Sequence, residues 1–158
     1  MNKKIRFAIL LLPVSLLLLP MIGDAQGKLE DQIKFRQSGM MFMRWNMGRI
    51  KKQLANDAVQ YKKQEVLAAA RVIAAIAESN FESLFNEQTR NGRGWKPTRV
   101  KPAYFLEPDK VRELANAFRE QAGELLRVAS DGDAGQLKRQ FQQTFESCKA
   151  CHKRYRSK

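Results

Sequence analysis

Apolar residues recur at alternating steps of three and four in four separate stretches of this 158-residue chain, and no strand-like alternation interrupts them. That spacing marks one face of a helix, so the chain is constrained towards packed helices. In the first stretch Ile33, Arg36, Met40, Met43, Met47, Ile50 and Leu54 form the seam. The second is expected to run from about Asp57, a suitable N-cap, to Phe85. Val59, Val66, Ile73 and Ile76 are its apolar residues, and Ala68, Ala69, Ala70, Ala74, Ala75 and Ala77 let neighbours approach closely. The third opens at Pro108, a favoured first-turn residue, and repeats Val111, Leu114, Phe118, Ala122, Leu125 and Ala129. The fourth starts at Asp133, with Gln136 completing a capping box, and its stripe is Leu137, Phe141, Phe145, Cys148, His152 and Tyr155.

Short connections at Ala55-Asn56 and Ser130-Asp131-Gly132 join the first and last pairs. A long link rich in Gly, Pro and basic residues runs from Phe85 to Pro108. The expected fold is all-α, an up-down-up-down antiparallel four-helix bundle.

The amino end adds a second constraint. A basic start, Asn2 to Arg6, precedes an apolar run from Phe7 to Leu19, and small residues stand one and three positions before a cut after Ala25. This is the layout of a secretory signal peptide, too short in its apolar part for the ~20 residues that span a bilayer. Residues 1–25 are therefore expected to be removed, leaving 26–158 as one exported domain without a membrane span. The net charge of +13 suits acidic partners or an anionic surface. Nucleic acid, the usual reading of a basic domain, is seldom met outside the cytoplasm.

Chemistry concentrates near the carboxyl end. Both cysteines and the only histidine fall within five residues, Cys148, Cys151 and His152. On a helix the two thiols share a face and the imidazole lies one turn beyond Cys148. Cys-x-x-Cys-His is the attachment signature of c-type haem, in which two thiols add to the haem vinyl groups and the histidine binds the iron. A zinc site needs about four ligands, a redox dithiol usually begins a helix rather than ending one, and a disulfide at this spacing would strain the helix. With His152 on the buried seam, the haem must sit inside the bundle against the first two helices. Arg36 on the facing seam would be costly without a partner, and a haem propionate is its natural one.

Over residues 29–156 the chain resembles the cytochromes c′ and their low-spin relatives, the class II c-type cytochromes. The matching stretches are KFRQSGMMFM with MGRI, FNEQTRNG, and CKACHKRYR. The resemblance implies that Cys148 and Cys151 hold haem c, one per chain, and that His152 is the axial ligand. It places Arg36 and Gln37 near the propionates, Met40 on the distal face of the iron, Phe85 as a second distal wall and Arg156 beside the proximal histidine. Trp95, with Arg90, Arg93 and Lys96, is expected to be an ordinary solvated loop.

The function these readings imply is a periplasmic carrier of single electrons that also binds NO or CO. It is not expected to be an enzyme: peroxidase chemistry wants a distal acid–base, and the one histidine is committed. A copper carrier built on Met40, Met41, Met43 and Met47 is a remote alternative, since methionine on a seam is ordinary core filler. Two ligand states are open at iron, a plain six-coordinate electron carrier with Met40 bound, or a five-coordinate site that Met40 merely blocks. The resemblance favours the second. Phe35, Phe42 and Trp45 lie away from Met40 and Met43 on the first helix, which points to a homodimer. Redox partner proteins, acidic ones by charge, complete the expectation.

Overall fold

The computed structural model describes residues 22–55 and 60–158. The leader up to residue 21, and the expected cap Asp57 with Val59, lie outside them. Four long helices follow one another: α1, Ile22–Leu54; α2, Lys63–Glu78; then, after the one-turn α3, Ala103–Leu106, come α4, Pro108–Asp131, and α5, Ala134–Tyr155. Among the described residues no helix is long and apolar enough to cross a membrane.

The helix boundaries follow local chemistry. Asp133 accepts from Gln136 N while Gln136 reaches back to Asp133 N, so the capping box forms as expected. Pro108 opens α4. The second helix is shorter than its sequence pattern suggests. It starts at Lys63 and stops at Glu78, because Asn80 takes a left-handed conformation (φ 53°) that asparagine tolerates better than most residues. Two 3-10 turns, Phe81–Leu84 and Glu87–Thr89, carry the chain on. Phe85 therefore belongs to a turn rather than to the helix, and the first connection is longer than Ala55-Asn56.

The helices pack in ring order, α1 on α2, α2 on α4 and α4 on α5, while α1 and α5 meet at only a few positions. The apolar core fills one half of this ring. Ile50, Val66, Ala69, Ala70, Ile73, Ala122, Leu125 and Leu137 are its centre, around the end that holds the α4–α5 turn. Buried alanines on both α2 and α4 let their axes come close, as the alanine-rich sequence requires.

Along α5 the inward stripe runs through Leu137, Gln140, Thr144 and Tyr155, and Phe145 is exposed. The helical period carries Phe145 outward, and polar residues take the inner line because α4 offers acceptors. Thr144 Oγ1 donates to Gln121 O at 3.1 Å and Gln140 Nε2 to Gln121 Oε1 at 2.9 Å. At the opposite end the 79–107 segment packs against α1, α4 and α5.

Candidate haem site

The site lies at this end, where the first half of α1, the end of α5 and the long connection converge. Cys148, Cys151 and His152 are all half-buried on α5, and both cysteines are free thiols. Burial, together with the neighbouring Cys151, pushes the Cys148 thiol up to about 11, and burial also raises Cys151. Burial, then the charge of Arg156, lowers the pKa of His152 and favours the neutral imidazole that binds a metal. Neither ring nitrogen of His152 is hydrogen-bonded to a described residue. Among the described residues no three His, Cys, Asp or Glu side chains converge as a metal-holding cluster. Met41 is 61% exposed and Met43 only 8%, so these two methionines of α1 face opposite ways.

Arg36 is buried on α1, as expected of a seam position, and burial lowers its pKa. Its acceptors among the described residues are uncharged. Nη1 donates to Thr89 Oγ1 at 2.6 Å and Leu84 O at 3.3 Å, and Nη2 to Thr89 O at 2.9 Å and Thr98 Oγ1 at 2.5 Å. The guanidinium also lies 5.0 Å from the centre of the Phe85 ring. The connection thus wraps round Arg36 and supplies four acceptors.

Gln37 pairs with the same connection. Its Nε2 donates to Lys96 O at 2.8 Å, and Lys96 N donates back to its Oε1 at 3.2 Å. Gly94 makes this possible, because a Cβ there would stand 2.8 Å from both Lys34 N and Gln37 Oε1. Trp95 is exposed, yet its indole donates to Ser38 Oγ at 2.9 Å and so ties the loop to α1.

Met40 is half-buried, one turn beyond Arg36. Beside it, Gly39 leaves room for the ring of Phe81, which a Cβ would strike. Phe81 stands edge-on to Phe85 at 5.9 Å, and Phe85 stacks on Tyr104 at 4.9 Å. Tyr104 meets Tyr155 of α5 edge-on at 5.5 Å, and burial, then Cys151, raises its pKa. Arg156 is exposed beyond α5, and its backbone N donates to His152 O at 3.0 Å.

Phe81, Thr89, Thr98 and Tyr104 are the site residues that helical periodicity does not reveal. The Phe81–Phe85 spacing beside Gly39 is a usable signal for the first, whereas the others sit in single turns or loop too short to show a period.

Comparison with known proteins decides the family. A sequence profile described as cytochrome C′ matches residues 31–156. The chain belongs to the cytochrome c′ family. The cytochrome c′ of Rhodocyclus tenuis is 48% identical over 132 residues, covering 84% of this chain and 98% of that protein. That of Allochromatium vinosum is 43% identical over 129 residues, 82% of each. A solved cytochrome c′ described as having a ligand-controlled dimer dissociation superposes with a TM-score of 0.77 at 42% identity, covering 82% of this chain and 97% of that one. A nitric oxide complex of a variant cytochrome c prime from Alcaligenes xylosoxidans gives 0.72 at 25% identity, with the same coverage. Haem c is the cofactor of this family, and the residues here fit it: two free, half-buried thiols and an uncommitted imidazole on consecutive turns.

Proposed function

We propose that the protein is a periplasmic carrier of single electrons whose distal site admits NO or CO only past an obstruction. The observation that carries this reading is the pair of free thiols with the uncommitted His152 at the end of α5. When bound, haem supplies a one-electron couple and an iron position open to diatomic gases. Cys148 and Cys151 would anchor it and His152 would ligate it. Arg36 and Gln37 fix the connection that covers the site and would lie near the propionates. Arg156, at the end of α5, would set a positive charge beside the proximal ligand.

Met40, with Phe81 packed behind Gly39, would crowd the distal side, with Phe85 as a further wall. None of these three can serve as a general acid or base, which supports a carrier rather than a peroxidase. Little turnover of peroxide is expected at steady state.

The apolar outer stripe of α1, with Phe35, Met41, Phe42 and Trp45 all exposed, supports assembly as a homodimer. Cleavage after Ala25 would release the domain outside the cytoplasm. The deciding experiment is acid–acetone extraction combined with absorption spectra of oxidised, reduced and CO-treated protein. The pigment should stay with the chain and show an intense Soret band that shifts with CO. Complete extraction would overturn the reading.

A further inference from the structure

The positive charge of this chain is unevenly placed. Between Gln88 and Leu106 there are five basic residues and no acidic one. From Ser147 to Lys158 there are again five basic residues and none acidic. The fold lays these two segments side by side. Val100 pairs with Arg156 in an antiparallel bridge; Lys101 N donates to Tyr155 O at 2.8 Å and Ser157 N to Arg99 O at 2.9 Å. Side chains reinforce the contact, because the Arg99 guanidinium donates to Ser157 O at 3.0 and 2.7 Å.

Carboxylates reach this surface only at its margin, where Glu87, Glu146 and Glu107 hold Arg90, Lys149 and Arg154. Lys96, Arg99, Lys101, Lys153, Arg156 and Lys158 have no carboxylate within ion-pair distance among the described residues. Like charges so grouped repel one another, so the arrangement does not serve stability. It does create a focused positive potential of the kind that steers acidic partners. The patch also begins where His152 ends, since Arg156 N closes the last turn of α5 on His152 O. Leu106, 77% exposed at its edge, adds an apolar contact.

We propose that this paired basic surface is the docking site for an acidic electron-transfer protein, which it would bring against the end of α5 that carries the haem-attachment residues. The inference rests on the carrier reading above and names its partner's chemistry. A lipid surface fits less well. The patch joins a loop to the last turns of α5 rather than lying along one amphipathic helix, and the indole of Trp95 is tied down to Ser38.

The test uses the full haem-loaded protein, reduced and mixed in stopped flow with two oxidants, an acidic plastocyanin and a neutral quinone. Oxidation by plastocyanin should slow about tenfold between roughly 10 and 200 mM salt. The double variant Lys96→Glu/Lys153→Glu should slow it about tenfold at low salt and leave the quinone rate unchanged. Lys51→Glu/Lys52→Glu, at the opposite end of α1, should change either rate less than about twofold.

A plastocyanin rate indifferent to the patch, with normal quinone oxidation, overturns the docking site alone. Failure with both oxidants overturns the carrier reading and the docking with it. Tighter binding to phosphatidylglycerol vesicles than to plastocyanin, lost in the patch variant, would make the surface a membrane contact and also overturn the proposal.

Discussion

Arg36 and Thr89 lie 53 residues apart and share two hydrogen bonds, one to the Thr89 hydroxyl at 2.6 Å and one to its carbonyl at 2.9 Å. Both residues are buried, so the pair fixes the long connection onto α1 from the inside. Thr89→Val keeps the volume and removes the hydroxyl, leaving a guanidinium donor unmatched. The expected cost is about 1–3 kcal/mol, read as a lower urea midpoint. An unchanged midpoint would mean that the connection is held elsewhere.

Glu107 gives the same end of the molecule a dependence on acid. Its carboxylate accepts from Arg154 Nε at 2.6 Å and from the Tyr155 hydroxyl at 2.8 Å, and these hydrogen bonds hold its pKa below the usual value. A carboxylate depressed in the folded state contributes fully above its unfolded pKa of ~4.3, and that contribution fades as pH falls through the folded value. The stability difference between the wild type and Glu107→Gln should therefore be constant near neutrality and shrink below about pH 4. A difference that persists at lower pH would assign the effect to packing instead.

Met40 and the ring of Phe81 predict how the distal site behaves. Met40→Ala should speed CO binding about tenfold, equivalent to about 1.4 kcal/mol of barrier, with no change in the resting spin state. A sulfur-to-iron charge-transfer band, present in the wild type and lost in this variant, would show instead that Met40 is a ligand.

Phe42 and Trp45 stack at 5.7 Å on the outer face of α1. An exposed apolar surface of this kind is expected to close against a second copy. Phe42→Lys should shift sedimentation at micromolar concentration towards monomer, by about tenfold or more in the dimer constant. An unaltered profile would place the interface elsewhere.

The bundle was legible in the sequence because periodicity reports burial directly. Ile33, Arg36, Met43 and Ile50 are buried on the predicted seam, and the capping box of α5 formed where Asp133 and Gln136 stand. The Cys148, Cys151 and His152 motif was legible because its spacing is itself the chemistry. Periodicity failed where polar groups satisfy one another across helices: Thr144 replaces Phe145 inside because Gln121 offers it an acceptor. It failed again after Glu78, where the left-handed Asn80 ends a pattern that apolar residues alone would have continued. The environment of Arg36 was hidden for a third reason. Its acceptors, Leu84, Thr89 and Thr98, lie in short 3-10 turns and loop whose course depends on contacts made at long range.

The apolar cluster from Ile50 to Leu137 draws nothing from the segment that carries Cys148, Cys151 and His152. Maturation can therefore proceed in two stages. The far half of the bundle can condense first, while the last turns of α5 remain accessible to whatever joins haem to the thiols. Docking of that segment, and the Val100–Arg156 bridge across it, then completes the molecule. In chain purified before haem attachment, amide exchange should be slowest around Ile73 and Leu125 and fastest from Cys148 onward. A fold divided in this way has a core that does not depend on the segment carrying its thiols.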